Sequence, residues 1–169
     1  MLVVKGFILF IIFILSNLIG KMIAGKYRYR LKELQEIKSD LSVLKTKIKF
    51  SYEPIPEIFK EISENSNSNI SKIFKKANEN MKENNAGQAW ESAVDESNNY
   101  LNKEDKSIIK IMGKMLGQSD ADGQISQIEV TEEFLNKQIQ QAEEEKNKNE
   151  KLFQKLGTIM GLALVIILI

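Results

Sequence analysis

KYRYRLKELQEIKSDLSVLKTKIKFSY, residues 26–52, carries Leu34, Ile37, Leu41, Leu44 and Ile48 at alternating intervals of three and four, with Lys, Glu and Asp between them. That period sets the apolar side chains on one face of a helix and the charges on the other. The preceding run GFILFIIFILSNLIG, residues 6–20, has no charge, so the amphipathic helix reads as the cytoplasmic continuation of an apolar one. At the far end, LGTIMGLALVIILI, residues 156–169, is also uncharged. Three segments follow: a transmembrane helix at 1–25, a cytoplasmic helical-bundle domain at 26–155 and a second transmembrane helix at 156–169.

Basic residues line the inner side of both apolar runs. Lys21, Lys26, Arg28, Arg30 and Lys32 follow the first, and Lys146, Lys148, Lys151 and Lys155 precede the second. Lys and Arg beside a span stay on the cytoplasmic side, so both flanks place the central segment inside the cell, with the two ends outside or in the far leaflet. A cleaved signal peptide fits the first run less well. The apolar stretch 2–24 is long enough to span at about 1.5 Å per residue, the basic cluster after it is a stop-transfer flank, and no A-x-A site is present. The second run covers only about 21 Å as a helix, short of the roughly 30 Å hydrocarbon core. Snorkelling of Lys155, bilayer thinning or pairing with the first helix supplies the rest; an interfacial tail is the competing reading.

Composition excludes several chemistries. The chain has no Cys and no His, which removes disulfides, thiolate nucleophiles, Ser-His-Asp triads and imidazole metal sites. Its formal net charge of +1 gives a nucleic-acid partner no electrostatic support. The roughly 130 residues between the spans suffice for one domain.

The organisation is helical throughout, an all-α bundle of about six helices. Pro54 and Pro56 stop the first helix, and Pro56 suits the first turn of the next, which carries Ile58, Phe59 and Ile62 and ends in the polar loop SENSNSN, residues 63–69. A third helix presents Ile70, Ile73, Phe74, Ala77 and Met81 and is broken by Asn84-Asn85-Ala86-Gly87. A short fourth follows with Ala89, Trp90, Ala93 and Val94. The fifth opens at Asn102 as N-cap, with Glu104 and Asp105 in its first turn, and stops at Gly117. The last opens near Asp120 and runs into the C-terminal apolar segment, with Ile125, Ile128, Leu135, Ile139 and Ala142 as its apolar seam. No segment sustains the period of two that marks a strand.

Residues 118–129, QSDADGQISQIE, have the spacing of a calcium-binding EF-hand loop, with Asp120, Asp122, Gln124 and Glu129 as its candidate ligands and Gly123 at the turn. Gln118 stands at the first position, where an Asp ligand belongs, and there is no second copy. The favoured reading is a helix stop at Gly117 followed by Asp120 as N-cap. Trp90 among small residues reads as the anchor of the core, with a partner interface as the alternative. Glu143 to Glu145 form a solvated helix face. Gly157-x-x-x-Gly161 in the last helix and Ser16-x-x-x-Gly20-x-x-x-Ala24 in the first are small-residue spacings that let membrane helices approach closely, and Asn17 can hydrogen-bond across such an interface.

The order of these elements resembles the stage III sporulation protein AB family of endospore-forming bacteria over essentially the full chain. It rests on the N-terminal span with its basic exit, the helix leading to Tyr52-Glu53-Pro54-Ile55-Pro56-Glu57, and Gly87-x-Ala89-Trp90-x-x-Ala93. Leu101-x-x-Glu104-Asp105, Gly113-x-x-Leu116-Gly117-x-Ser119-Asp120 with Gln124, and the acidic helix ending in a Gly-bearing apolar tail complete it. The resemblance implies a non-enzymatic component of a transport complex between mother cell and forespore, in the mother-cell membrane around the forespore, without cofactor. Its cytoplasmic domain would be similar to the inner-membrane platform protein of type II secretion and type IV pilus machines. The implied partners are a secretion-type ATPase (stage III sporulation protein AA), other membrane subunits of the complex and membrane lipid. The alternatives from the residues are a membrane-anchored calcium sensor using residues 118–129 and a tethered coiled-coil adaptor dimerising through the Leu34–Ile48 stripe.

Overall fold

The computed structural model describes residues 2–51 and 53–168; Tyr52, part of the turn motif above, lies outside them, as do Met1 and Ile169 at the edges of the two expected spans. Every regular element among the described residues is helical. They are α1 (Leu2–Phe50), α2 (Ile55–Glu64), α3 (Asn69–Asn80), α4 (Ala86–Glu96), α5 (Lys103–Ile111), a single 3-10 turn (Met112–Lys114) and α6 (Ala121–Leu168). By packing, the chain divides into two compact units, Met1–Leu31 with Gln141–Ile169, and Lys32–Gln140. The boundaries expected at 25 and 155 mark where the apolar runs stop; the packing boundaries fall at 31 and 141, because within the first unit the two helices stay paired beyond the apolar stretch.

In the unit Lys32–Gln140, local chemistry sets the helix starts. Ser68 Oγ accepts from the Ser71 N–H at 2.9 Å while Ser71 Oγ takes the Ser68 N–H at 3.0 Å, a reciprocal cap on α3. Asn102 and Asp105 make the same exchange at the start of α5, at 2.8 and 2.9 Å. Asn85 caps α4 through the Gln88 N–H at 2.9 Å, and Asp120 caps α6 through the Gly123 N–H at 2.9 Å. Each such cap stabilises its helix by about 1 kcal/mol. Pro54 takes the N-cap position of α2 with Pro56 in its first turn, where a missing N–H breaks no bond.

The core of this unit collects the stripe of α1 (Leu34, Ile37, Leu41, Leu44, Ile48) and the apolar faces of α2, α3 and α4. Its centre is aromatic. Phe59, Phe74 and Trp90 lie with ring centroids 5.0 to 5.6 Å apart, mostly edge to face, the arrangement that the ring quadrupoles favour. Trp90 is fully buried, and its indole N–H donates to the Ile109 carbonyl at 2.9 Å, which satisfies its one polar atom.

Several boundaries differ from the sequence reading. Ser63 and Glu64 complete α2 and Asn69 begins α3, so the loop shrinks to residues 65–68 around the Ser68 cap. Ala86 and Gly87, expected in a break, form the first turn of α4, since Asn85 caps it. The fifth helix ends at Ile111 and tightens into the 3-10 turn before Gly117. There Gly113 packs against α4: a Cβ on Gly113 would lie 3.0 Å from the Trp90 ring, and one on Gly87 would run into the Gly113 carbonyl. Gly117 itself has φ 70°, the left-handed conformation in which glycine is unstrained. On α6 the buried seam is Ile128, Thr131, Leu135, Gln138 and Ala142, with Ile125 and Ile139 only half-buried. Three of the expected positions, Ile128, Leu135 and Ala142, lie on it, and the other two of the five are polar, which is why an apolar count passed over them.

Candidate interaction surface

The small residues singled out in the sequence meet in the first unit. There α1 and α6 run antiparallel, and their closest approach is backbone to backbone at Gly20 and Gly157. A Cβ on Gly20 would stand 2.9 Å from the Gly157 Cα, and one on Gly157 would stand 2.9 Å from the Gly20 Cα. One turn further out, a Cβ on Gly161 would lie 2.9 Å from the Phe13 ring and 3.2 Å from the Ser16 Cβ. Ser16 Oγ donates to the Gly157 carbonyl at 2.8 Å, and Ala24, a turn towards the charged side, is buried. Ser16, Gly20, Gly157 and Gly161 thus form one seam inside the chain.

Polar side chains reinforce it. Thr158 Oγ1 donates to Asn17 Oδ1 at 2.7 Å, while Asn17 Nδ2 donates to the Phe13 carbonyl at 2.9 Å. Asn17 was legible as a candidate for such a bond; its partner Thr158 was not singled out. The outward faces of both helices are apolar and exposed, among them Phe7, Phe10, Leu18, Ile159, Met160 and Ile167. Among the described residues, two helices, α1 and α6, are long and apolar enough to cross a membrane by length and composition.

Above the glycines the pairing turns aromatic and then ionic. Tyr27 stacks on Phe153 with centroids 5.9 Å apart. Arg28 meets Glu150 at 3.5 Å, and Arg30 meets Glu145 at 2.8 Å. Arg30 is buried, so its ion pair offsets a desolvation that an unpaired guanidinium would not survive. Sequence reasoning missed this pair. The signal was present, because counting back from Leu34 in steps of four and three reaches Arg30, Tyr27, Ile23 and Gly20, but a cation does not register in an apolar pattern.

The EF-hand-like residues fall differently. Residues 121–129 are helical, which separates Asp122 from Glu129 by about 10 Å of rise. Asp120 is engaged as the N-cap, Glu129 lies 3.8 Å from Lys45, and the Gln124 side chain bridges the Gly117 N–H and the Ser119 carbonyl at 3.3 and 3.0 Å. Among the described residues, no three Asp or Glu side chains come together as a metal ion would require.

Two carboxylates of the second unit are perturbed. Burial pushes Glu33 up, opposed by hydrogen bonds from Asn69 Nδ2 at 2.8 Å and the Tyr100 N–H at 2.6 Å. Burial also raises Asp40 to about 7, with the neighbouring Glu36 charge adding to the shift.

These features define an all-α helical-bundle protein whose terminal helices form a close, glycine-seated pair suited to a membrane. The chain belongs to the stage III sporulation protein AB family, whose model matches residues 5–169. It is similar to the stage III sporulation protein AB of Bacillus subtilis (strain 168), with 24% identity over 153 residues, covering 88% of this chain and 90% of that one. Its fold is similar to a solved structure of stage III sporulation protein AB (SpoIIIAB), with a TM-score of 0.63 at 20% identity, covering 70% of this chain and 96% of that one. The protein is therefore a stage III sporulation protein.

Proposed function

We propose that the chain is a non-enzymatic structural component of a membrane complex linking mother cell and forespore. In this reading its helix pair crosses the mother-cell membrane around the forespore, and its bundle faces the cytoplasm as a platform for a secretion-type ATPase and other membrane subunits. The observation that carries the membrane part is the Gly20–Gly157 contact between two helices whose outer faces are apolar. Small residues at the helix contact with large apolar residues outside is the distribution lipid selects. The family match supplies the sporulation context. The bundle offers an exposed, mixed-charge surface, with Glu and Lys together on α2, α3 and α5 and acidic residues alone on α4, which suits docking through complementary charge.

Deleting the gene tests the assignment: heat-resistant spore counts should fall by orders of magnitude while vegetative growth is normal, and normal sporulation would defeat it. Topology is tested separately. Protease added to intact protoplasts that carry the full chain in their outer cell membrane should leave the segment between the helices uncut, and cleavage there would reverse the orientation. The platform role predicts co-purification of the ATPase with the full chain from sporulating membranes. Recovery of the other membrane subunits without it would remove the ATPase from this protein's partners.

A further inference from the structure

Charge is divided unevenly between the two units. Residues 32–140 carry fifteen basic and nineteen acidic side chains, a net charge of −4, whereas the helix-pair unit carries nine basic and four acidic, a net charge of +5. Eight of those nine cations fall in two ten-residue windows, 21–30 and 146–155, and the antiparallel register sets the windows side by side, with Tyr27 against Phe153 and Arg28 against Glu150. Glu150 is the one acidic residue in either window, and it is already engaged by Arg28.

The collar's two arginines and five of its six lysines, all but the half-buried Lys146, are used differently. Arg28 and Arg30 bind α6 carboxylates, while Lys21, Lys26, Lys148, Lys151 and Lys155 are exposed and make no ion pair among the described residues. They also sit in tiers. Lys21 adjoins Gly20 and Lys155 lies two residues from Gly157, at the rim of the apolar surface. Lys26 and Lys151 stand a turn or more further out. From Lys21 to Lys26 the helix rises about 7.5 Å, within the roughly 5–8 Å depth of a headgroup layer on one side of a bilayer. A lysine stem lies along apolar surface while its ammonium reaches a phosphate, and the tiers let both helices do so over the whole layer.

We infer that this collar binds the phosphate headgroups of anionic phospholipids and so gathers such lipids around the helix pair. The inference rests on the membrane reading above. An orientation signal needs only basic residues near a span; it does not need them exposed, unpaired and matched in depth on two packed helices.

The test uses the full chain reconstituted in phosphatidylcholine vesicles with trace spin-labelled phosphatidylglycerol or phosphatidylcholine, read as the fraction of label immobilised by protein. The expected result is a preference of about threefold for phosphatidylglycerol at low salt, lost in high salt. Lys→Gln at Lys21, Lys26, Lys148, Lys151 and Lys155 should bring it to near one, and Lys→Arg at the same positions should retain it. Lys→Gln at Lys60, Lys72, Lys75, Lys82 and Lys114, all on the other unit, should also retain it. Equal preference in the wild type and the collar variant overturns the inference, as does equal loss in the two Lys→Gln variants. Displacement by inorganic phosphate beyond that by chloride of equal ionic strength would indicate a free-anion site and overturn the lipid assignment. Absence of an immobilised fraction for either label would defeat the membrane reading itself, a result distinct from immobilisation without preference.

Discussion

The two units solve the same problem, burying helix faces, with opposite materials. The bundle fills its centre with its largest fully buried side chains, Trp90, Phe59 and Phe74, packed mostly edge to face. The helix pair brings together the smallest, Gly20 on Gly157, and adds hydrogen bonds from Ser16 and Thr158. In water, removing apolar area from solvent stabilises by roughly 25 cal/mol per Å², so large residues go inside. Between helices in lipid that drive is absent, because acyl chains are as apolar as leucine. Close backbone approach and hydrogen bonding remain, so small residues go inside and large ones face out.

The largest effect should come from emptying the bundle's centre. Trp90→Ala removes the ring that Phe59 and Phe74 pack against and orphans the Ile109 carbonyl. It should cost about 3–5 kcal/mol, read by circular dichroism as a large drop in the melting temperature of the full chain in detergent. A shift of a degree or two would mean that the aromatic cluster does not carry the core.

Gly157→Leu asks the converse question of the pair, since a side chain there meets the Gly20 backbone and should cost about 1–3 kcal/mol of helix association. With no native cysteine, Ser16→Cys with Gly161→Cys gives a reporter free of competing thiols, compared only within that background because Phe13 must shift to admit the new Cβ: the two Cβ positions lie 3.2 Å apart, near the range that a disulfide bridges. The bridge should form readily with Gly157 present and several-fold less with Leu in its place. Equal yields would show that the glycines do not set the approach.

Asp40 sharpens the comparison through pH, because it belongs to the bundle alone. Its folded pKa of about 7 exceeds the ordinary 3.8, so the folded protein keeps a proton that the unfolded chain has released. Stability therefore falls as pH rises between about 4 and 7 and stays at the lower level above, and Glu33, also raised, adds in the same direction. Because Asp40 is only half-buried, screening reduces the effect to about 1 kcal/mol. Asp40→Asn should flatten that part of the pH profile; a variant whose stability still falls equally across the window would assign the titration elsewhere.

The bundle was the more legible of the two units in its core, and the pair in its seam. Period alone gave the α1 stripe, and all five of its residues are buried, because one face of a long helix in water has few alternatives. The α2–α3 loop and the start of α4 were misread because the caps at Ser68 and Asn85 decide them, and the end of α5 because Gly113 packs on α4: Gly87 looks like a helix breaker until Asn85 and Gly113 are seen beside it. The spacings of Ser16, Gly20, Gly157 and Gly161 were visible one helix at a time. Their pairing with each other was not, because the sequence holds no register between segments so far apart. Thr131, Gln138 and Arg30 escaped for one shared reason: each is a polar residue at a buried position, which hydrophobic periodicity passes over.

The smallest effect separates hydrogen bonding from close packing in the pair. Asn17 is held at both ends of its amide, by Thr158 and by the Phe13 carbonyl, so Asn17→Leu removes one interhelical bond and leaves the glycine contact intact. In water, a half-buried Asn→Leu exchange on a helix would bring hydrophobic gain as well as loss. In lipid the leucine gains nothing by being buried, and the Thr158 hydroxyl falls back on the Gln154 carbonyl of its own helix, already 3.3 Å away. The expected cost is about 0.6 kcal/mol, the average for a hydrogen bond between membrane helices. In the disulfide reporter this is a reduction of about threefold at most, smaller than for Gly157→Leu. Thr158→Val should match it, and the double variant should add nothing, since both substitutions delete the same bond. Additive losses would show that the two side chains stabilise the pair independently, and the Asn17–Thr158 bond would then not be the source of either effect.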